Sequence, residues 1–292
     1  MARFLVTGAA GFIGSHLVEH LRASGHTVVG VDRRPGADVQ GDLLEMDLAP
    51  LLDGAEYVIH LAGQPGVRES WDQFPAYSRG NIETTQRLLE AARGRSLKKF
   101  VLASTSSVYG EAPMPAKEDG PTLPVSPYGL TKLAAERLCD LYGRTAGIPW
   151  VALRYFTVYG PRQRPDMAFS RWLTAALTGA PIKIYGDGQQ LRDFTYVGDA
   201  VVATQRAALN PVVGMAINVG GGTAVTVRKA IRLIAAVTGR PVRLQYLPPA
   251  PGDMRETRAD TTRLWQEVGF LPSTPLEEGL WQQYQWLLAG RE

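Results

Sequence analysis

The chain has 292 residues, of which 45% are hydrophobic and 20% are charged, and this balance excludes disorder as its default state. Its 31 basic and 28 acidic residues give a formal charge of +3, too small to indicate a nucleic-acid partner. One cysteine excludes an internal disulfide framework, and four histidines leave little for a metal cluster. Because the sequence shows neither a leader-like start nor an apolar run of membrane length, we expect a soluble cytoplasmic protein with no membrane partner.

The first half of the sequence alternates short apolar runs with amphipathic stretches. The predicted strands are Arg3–Thr7, Thr27–Asp32, Tyr57–Leu61, Phe100–Ser104 and Trp150–Arg154, and the predicted helices are Phe12–Ala23, Ala76–Arg93 and Tyr128–Thr145. The strands are apolar along their whole length, as expected for a parallel sheet that is covered on both faces. We therefore predict an α/β fold built on a doubly wound parallel sheet.

After about residue 157 the turn signals become denser and the predicted strands become shorter. Turns are predicted at Gly160-Pro161, Gly186–Gly188, Gly220–Gly222 and Pro248–Gly252, and helices at Phe169–Thr178, Asp199–Leu209 and Thr226–Thr238. We predict a first domain over residues 1–157 and a smaller C-terminal α/β lobe over residues 158–292. The lobe is expected to bind substrate and to be interleaved with the sheet.

Three glycines form a GxxGxxG pattern where the first strand passes into the first helix. Gly8, Gly11 and Gly14 let the chain turn tightly, approach a pyrophosphate and pack the helix against the sheet. The helix N-terminus, at Phe12 and Ile13, supplies N–H donors and the positive end of the helix dipole. Because a strand precedes the pattern and a helix follows it, we predict a Rossmann-type dinucleotide site.

An acidic residue ends the second strand, 18 positions after the last of these glycines. Asp32 is placed to accept hydrogen bonds from both hydroxyls of an adenosine ribose, and its charge would repel a 2′-phosphate. This arrangement favours NAD over NADP. Arg33 and Arg34 follow at once and could bind such a phosphate, so the sequence leaves NADP as an alternative.

The adenine end of the site is predicted at the end of a third strand. We expect Asp42 and Leu43 to contact the adenine, with the Asp42 carboxylate accepting a hydrogen bond from the amino group. Asp47 is a rival for that place, and the sequence alone leaves the choice between the two acids open.

The first helix also carries two histidines with the spacing of some zinc sites. His16, Glu19 and His20 form an HxxEH pattern. Such a site needs a third ligand and an open cleft, whereas His16 lies beside the predicted phosphates, and His26 and His60 are the remaining histidines. We therefore expect no metal.

Tyr128 and Lys132 form the one Tyr-x-x-x-Lys pair in the sequence, within a predicted helix. Residues four positions apart share a helix face, so the ammonium group is expected to lower the pKa of the phenol towards neutrality. The phenolate would then remove the proton of an alcohol while a hydride leaves for nicotinamide. Upstream, the hydroxyl run Ser104–Ser107 closes a buried strand, which is typical of the mouth of a ligand site.

With these features the sequence resembles the extended short-chain dehydrogenase/reductase family of nucleotide-sugar epimerases and dehydratases. The matching stretches are Thr7–Gly14, His60–Arg68, Ser104–Gly110, Ser126–Lys132, Arg154–Pro161 and Tyr185–Val197. The resemblance implies tightly held NAD and an active site formed by Tyr128, Lys132 and Thr105. The cofactor contacts that it implies, besides those above, are Leu61, Ala62, Gly63, Asn81, Ser104, Tyr128, Lys132, Tyr155 and Val158.

The residues after Thr105 narrow the choice within this family. The 4,6-dehydratases have an Asp-Glu pair there, and UDP-glucuronate decarboxylases have a glutamate two residues on. This sequence has Ser106 and Ser107 instead. Tyr128 is then the one evident proton-transfer group, which suits redox inversion at C4 of a sugar.

The segment Arg154–Met167 is similar to UDP-glucuronate 4-epimerases, with Thr157 where other sugar-nucleotide epimerases commonly have asparagine. We expect Arg164 or Arg171, with the two serines and Thr157, to hold the C6 carboxylate of the sugar. Holding it matters because a 4-keto uronate loses CO2 when the carboxylate aligns with the carbonyl orbital. The further substrate contacts implied by the resemblance are Gln64, Ile184, Tyr185, Gln190, Arg192 as the better diphosphate ligand, and Arg255 as a weaker one.

We therefore predict a UDP-glucuronate 4-epimerase that acts on a UDP-sugar through a transient 4-keto intermediate and recycles NAD. The alternatives that stay open are a 4-epimerase of UDP-glucose/galactose or UDP-N-acetylhexosamines, a UDP-glucuronate decarboxylase, and a non-catalytic sensor of NAD or nucleotide sugars. By family analogy we also expect a homodimer formed through the helices predicted at Ala76–Arg93 and Tyr128–Thr145.

Overall fold

The computed structural model describes residues 1–248 and 254–290, and its largest element is a parallel sheet of seven strands. These strands are β1 (Arg3–Thr7), β2 (Thr27–Asp32), β3 (Val39–Gln40), β4 (Tyr57–His60), β5 (Lys99–Thr105), β6 (Trp150–Tyr155) and β11 (Met215–Val219). They lie in the spatial order β11-β6-β5-β4-β1-β2-β3. Together with helices on both faces, this order confirms the predicted doubly wound α/β fold.

The five strands predicted in the first half of the sequence are all confirmed. β1 and β2 have the predicted bounds, β4 ends one residue early, and β5 and β6 are slightly longer than predicted. Every residue of β5 is buried, because side chains on both faces of the sheet are covered. Two apolar clusters, one on each face, form the core that sandwiches the sheet.

Ten α-helices are present in residues 1–248 and 254–290. Their bounds are α1 (Phe12–Ala23), α2 (Ala49–Leu52), α3 (Glu69–Asp72), α4 (Phe74–Tyr77), α5 (Thr84–Ala92), α6 (Pro127–Ala146), α7 (Ala168–Thr178), α8 (Val197–Leu209), α9 (Val227–Thr238) and α10 (Leu276–Ala289). Helix α1 has the predicted bounds, and α6 to α9 differ from prediction by one or two residues at their ends. None of these described helices combines the length and the apolarity that spanning a bilayer requires. The cytoplasmic location stays a prediction.

The helix predicted over Ala76–Arg93 is divided into three pieces. Helix α4 is followed by a π-helical segment, Ser78–Glu83, before α5 begins. The hydroxyl of Thr84 donates to the carbonyl of Arg79 and that of Thr85 to the carbonyl of Asn81, which supports the wider turn. Periodicity does not reveal such side-chain-to-backbone bonds, so the prediction of one regular helix was wrong.

The second half of the chain forms three small sheets beside the main one. They pair β7 (Val158–Tyr159) with β10 (Thr195–Tyr196), β8 (Ile182–Tyr185) with β13 (Leu244–Leu247), and β9 (Leu191–Asp193) with β12 (Ala224–Thr226) and β14 (Glu256–Thr257). Strand β11 forms an edge of the main sheet, and α8 packs in the same core cluster as α1. The chain beyond residue 157 thus completes the first domain's sheet. Of the turn predicted at Pro248–Gly252, residues 249–252 lie outside the described residues.

A buried ion pair joins helix α6 to strand β6. Arg154 Nη2 lies 2.7 Å from Glu136 Oε2, and the two side chains are 5% and 6% exposed. Burial alone would lower the pKa of Arg154, but the hydrogen bonds and charge of Glu136 raise that pKa above its usual value. Glu136 also accepts a hydrogen bond from the Ser104 hydroxyl, and Arg154 donates to the Tyr109 hydroxyl at 2.9 Å. The pair therefore ties α6 to both β5 and β6.

We expect Glu136→Leu to lower the free energy of unfolding by about 3–5 kcal/mol, because the Arg154 guanidinium would stay buried without its anion. Urea unfolding followed by circular dichroism measures this loss. As a control, Asp140→Ala breaks an exposed pair with Arg144 on the same helix and should cost no more than about 0.5 kcal/mol. Equal, small losses for the two variants would contradict a structural role for the buried pair.

Candidate active site

The glycine turn between β1 and α1 leaves little room for side chains. Gly8 has a φ of +71°, and a Cβ atom there would lie 2.6 Å from a backbone nitrogen of the segment after β4. A Cβ atom on Gly14 would lie 2.0 Å from the Gly8 carbonyl oxygen. Gly11 is the N-cap of α1, so no side chain caps the first turn at Phe12 and Ile13. The N–H groups of this first turn, together with the positive end of the helix dipole, are therefore suited to bind a pyrophosphate.

Asp32 lies buried at the end of β2, beside this turn. Its carboxylate accepts hydrogen bonds from the backbone N–H groups of Ala10, at 3.1 Å, and Arg34, at 3.0 Å. The Arg34 guanidinium also contacts the carboxylate at 3.3 Å, and both Arg33 and Arg34 are exposed to solvent. The sequence offered Arg33 and Arg34 equally as ligands of a 2′-phosphate, but of the two it is Arg34 whose guanidinium contacts Asp32. The long guanidinium contacts leave Asp32 suited to ribose hydroxyls that would replace them.

The two acids proposed for the adenine end both cap turns. Asp42 accepts a hydrogen bond from the backbone N–H of Leu44 at 2.9 Å, and Asp47 accepts one from that of Ala49 at 3.0 Å. Strand β3 ends at Gln40, so the prediction that Asp42 and Leu43 end the third strand was wrong. Their short side-chain-to-backbone bonds favour a turn over a strand. The adenine contacts of Asp42 and of the buried Leu43 stay a prediction.

Thr105 and Tyr128 meet where β5 ends and α6 begins. Ser126 is the N-cap of α6 and accepts the Gly129 N–H at 3.1 Å, which fixes the first turn that carries Tyr128. Burial raises the pKa of Tyr128, while a hydrogen bond with Thr105 and the charge of Arg164 lower it. The structure thus places a hydroxyl and a cation beside the phenol.

Lys132 is buried one helical turn after Tyr128, and its Nζ donates to the carbonyl oxygen of Ala103 at 2.8 Å. Burial lowers the pKa of Lys132 to about 8. The ammonium is held by a β5 carbonyl, and the groups that lower the pKa of Tyr128 against burial in this structure are Thr105 and Arg164; the effect of Lys132 on that pKa stays a prediction. Burial, and after it the charge of Lys132, lower the pKa of His60 to about 3, so that His60 is neutral.

The segment after β4 packs at the same carboxyl ends of the strands. Asn81, on the π-helical turn, accepts the Gln64 N–H at 2.8 Å and donates to the Gln64 carbonyl at 3.1 Å. A Cβ atom on Gly63 would lie 2.7 Å from Asn81 Oδ1 and 3.2 Å from Lys132 Nζ. Leu61 and Ala62 precede this glycine and are partly buried. The predicted cofactor residues from β1, β4 and α6 therefore converge.

Three of the predicted cofactor residues have side chains with other partners. The Ser104 hydroxyl donates to Glu136, the Tyr155 hydroxyl lies 2.6 Å from Thr204 Oγ1, and the Val158 side chain is buried in the core. Burial also raises the pKa of Tyr155. Contacts from Ser104 and Tyr155 to a cofactor would therefore use their backbones.

The two arginines proposed for a sugar carboxylate occupy different positions. Arg164 forms two hydrogen bonds with Asp166, at 3.0 and 2.8 Å, and its charge acts on Tyr128. These bonds hold the pKa of Asp166 below its usual value. Arg171 is exposed on α7. Of the two, Arg164 is the cation beside the predicted reacting tyrosine.

The hydroxyls proposed to share that carboxylate follow the ends of β5 and β6. The Ser107 N–H donates to Thr105 Oγ1 at 3.2 Å, which starts a short 3-10 turn through Ser106. The Thr157 carbonyl accepts the Thr195 N–H at 3.1 Å. All three predicted positions thus lie at the carboxyl ends of the sheet strands, as Thr105 does.

The lobe residues predicted to contact substrate line up on β8, β9 and the turn between them. The Arg68 guanidinium lies 4.6 Å from the ring centroid of Tyr185, so a cation–π contact crosses from the first domain to the lobe. Gln190 donates to the Tyr185 carbonyl at 2.5 Å, and its Oε1 is buried without a protein partner. The Ile184 side chain is 1% exposed and belongs to the core.

The two basic residues proposed for the diphosphate already contact the protein. Arg192 Nη1 donates to the Leu191 carbonyl at 2.8 Å. Arg255 forms an exposed ion pair with Asp187 at 3.0 Å, which holds the pKa of Asp187 below its usual value together with the Gln189 N–H. Their role as phosphate ligands stays a prediction.

The residues of the HxxEH pattern make contacts with two other parts of this chain. His16 Nε2 lies 2.9 Å from the Pro161 carbonyl, Glu19 pairs with Arg162, and His20 Nε2 lies 2.7 Å from Gln205 Oε1. Across residues 1–248 and 254–290 no cluster of three or more potential metal ligands is present. The pattern therefore serves packing around α1.

Three residues that make contacts in this region were not among the site residues predicted from the sequence. Arg68 ends the stretch His60–Arg68 that carried the resemblance, and Glu136 stands four positions after Lys132, so both had a signal. Arg162 contacts Glu19 at a separation of 143 positions, which no local pattern indicates.

Comparisons with known proteins agree with this geometry. The sequence model of the NAD dependent epimerase/dehydratase family matches residues 4–220. The structure of MoeE5 in complex with UDP-glucuronic acid and NAD superposes with a TM-score of 0.95 at 47% identity, covering 99% of this chain and 100% of that one. The UDP-glucuronic acid 4-epimerase from Bacillus cereus, in complex with UDP-glucuronic acid and NAD, gives 0.94 and 40%, covering 98% and 99%. YtcB of Bacillus subtilis (strain 168), an uncharacterized UDP-glucose epimerase, is 43% identical over 98% of both chains.

These matches confirm the predicted family, fold class and cofactor. The glycine turn, the uncapped start of α1 and the buried Asp32 fit NAD, the cofactor on which this family depends. The chain belongs to the NAD-dependent epimerase/dehydratase family.

Proposed function

We propose that this protein is a UDP-glucuronate 4-epimerase. The observation that carries the proposal is Arg164, which Asp166 holds at 2.8 Å and which is near enough to Tyr128 for its charge to act on the pKa of the phenol. The positions after Thr105 are Ser106 and Ser107, which offer hydroxyls and no carboxylate for dehydration or decarboxylation. Relatives that bind UDP-glucuronic acid and NAD support the same choice.

Proton transfer in this proposal belongs to Tyr128. Burial leaves the pKa of its phenol raised, and the Thr105 hydroxyl and the Arg164 charge act in the opposite direction. The proposed base is the phenolate, which would accept the proton of the sugar 4-hydroxyl. Thr105 is placed to relay that proton. Bound NAD supplies a hydride acceptor and later a hydride donor, so the cofactor is regenerated in each turnover. Lys132, with a pKa of about 8, stays mostly charged at neutral pH.

In a uronate epimerase, Arg164 would also restrain the C6 carboxylate of the sugar. Oxidation at C4 makes a β-keto acid, and such an acid loses CO2 when the C5–C6 bond aligns with the carbonyl π orbital. A guanidinium that binds the C6 carboxylate, helped by the Ser106, Ser107 and Thr157 hydroxyls, holds the carboxylate out of that alignment. Asp166 fixes the guanidinium by two hydrogen bonds.

A 4-epimerase of UDP-glucose is the second candidate. It is favoured by one observation, the Asp166 carboxylate, which already neutralises Arg164 and makes a neutral C6 hydroxyl acceptable. The relative MoeE5 also has a structure in complex with UDP-glucose and NAD. The two candidates share the chemistry at C4 and differ at C6.

Incubation with UDP-glucuronate and NAD is expected to yield UDP-galacturonate, identified by chromatography and NMR. Tyr128→Phe should lower kcat by roughly 10²–10⁴-fold, because the variant has no group to accept the 4-hydroxyl proton. Brisk turnover of UDP-glucose with no UDP-galacturonate would refute the uronate substrate. A UDP-pentose as the main product would identify a decarboxylase instead.

Arg164→Ala is expected to lower kcat/KM for UDP-glucuronate by about 10- to 100-fold, since a charge-assisted contact to the carboxylate is lost. A share of its turnovers should release CO2 and UDP-pentose. Arg171→Ala is the matched control on the same segment and should have a smaller effect. The opposite ranking of the two variants would make Arg171 the carboxylate ligand.

We further propose that the chain forms a homodimer through α6 and its neighbours. Leu130 and Leu141 on α6 are 53% and 44% exposed, and Trp71 and Phe74 flank Leu130 at 65% and 44% exposed. Light scattering should give a mass near twice the 31.8 kDa of one chain, and Leu130→Asp with Leu141→Asp should give a monomer. A monomeric wild-type chain would exclude the dimer.

A further inference from the structure

Arg162 has a backbone conformation that its side chain does not favour. Among residues 1–248 and 254–290 it is the one non-glycine residue with a positive φ, at 64°. The left-handed region brings Cβ close to the backbone in residues other than glycine, so contacts elsewhere must hold the residue there. Arg162 stands two positions before Arg164, the cation beside Tyr128.

The contacts that hold Arg162 come from helix α1. Its guanidinium binds Glu19 through two hydrogen bonds, at 2.6 and 2.7 Å, and Nη2 lies 2.8 Å from His16 Nδ1. His16 Nε2 lies 2.9 Å from the Pro161 carbonyl. Burial lowers the pKa of His16, which favours the neutral ring, and Arg162 contacts both ring nitrogens, with Nη2 2.8 Å from Nδ1 and Nε 3.2 Å from Nε2.

The residue between the two arginines is anchored on the opposite side. Gln163 is buried, donates to the Val158 carbonyl at 3.1 Å, and accepts hydrogen bonds from the Ser170 N–H and from Gln283 at 3.1 and 2.9 Å. Arg162 therefore points to α1, Gln163 into the lobe and Arg164 towards Tyr128. A rotation of the segment about Gln163 would carry Arg164 away from Tyr128, and the contacts of Arg162 with α1 oppose that rotation.

We propose that Arg162 is a positioning residue that fixes Arg164 beside Tyr128 by binding Glu19 and His16 on α1. The inference rests on the proposed function, in which Arg164 binds the sugar carboxylate. An exposed ion pair adds little to stability, so the Arg162–Glu19 pair, with side chains 32% and 64% exposed, is better explained by the geometry that it imposes. Because α1 also carries the predicted phosphate site, one helix orients both ligands.

Two variants test this role by different routes. Arg162→Gly keeps the backbone conformation without strain, because glycine accepts a positive φ, and Glu19→Gln keeps Arg162 but removes its anion. The matched control is Arg95→Ala, because Arg95 is also 32% exposed and lies 2.6 Å from Asp53. Melting temperature, steady-state kinetics and amide hydrogen exchange are measured on all three variants.

We expect Arg162→Gly and Glu19→Gln to raise KM for UDP-glucuronate about tenfold, through loss of one oriented charge-assisted contact. Binding of UDP, which lacks the glucuronosyl group, should be unchanged, and Tm should stay within about 3 °C of the wild type. Amides of residues 161–167, of which the two prolines at 161 and 165 have none, should exchange about tenfold faster in both variants, and Arg95→Ala should change none of these quantities.

Unchanged exchange at residues 161–167 in both variants would overturn the proposal. So would faster exchange with an unchanged KM for a wild type that epimerises UDP-glucuronate. If the wild type does not turn over UDP-glucuronate, the proposed function fails by itself. The exchange measurement then still decides whether Arg162 holds the segment, because it requires no substrate.

Discussion

The buried ion pair between Glu136 and Arg154 fixes the geometry on which the candidate site depends. Tyr128, Lys132 and Glu136 stand at four-residue intervals on α6, so an anchor at Glu136 sets the position of the other two. Glu136 reaches Arg154 on β6 and Ser104 on β5, the residue before Thr105. The charge that stabilises the helix–sheet contact therefore also sets how the phenol meets the threonine hydroxyl.

Burial has opposite consequences for the groups around the phenol. It raises the pKa of Tyr128 and lowers that of Lys132 to about 8, so burial disfavours the charged form of both groups, although Lys132 stays mostly charged at neutral pH. Arg164 keeps its charge, because its two hydrogen bonds to Asp166 raise its pKa. At neutral pH Arg164 and Lys132 are both positively charged, and the Asp166 carboxylate balances the charge of Arg164.

Much of the fold follows from local sequence, while part of the site does not. The bounds of β1, α1 and β2 were predicted because apolar runs, the glycine turn and Asp32 all indicate the same strand–turn–helix–strand unit. The π-helical turn at Asn81 depends on hydroxyl bonds to specific carbonyls, and no periodicity encodes it. Lys132 was predicted from helix spacing alone, which could not include the Ala103 carbonyl that holds its ammonium. Arg162 was missed because its partners lie on α1, and only the folded chain brings them together.

In the proposed reaction, C4 is inverted by removal and return of one hydride within a single active site. The most direct test uses UDP-glucuronate labelled with deuterium at C4. We expect UDP-galacturonate and recovered UDP-glucuronate both to retain the label at C4, with no solvent hydrogen incorporated at any sugar carbon, because the hydride would return from the same bound cofactor. Loss of the C4 label to solvent, or exchange at C5 during turnover, would contradict this mechanism.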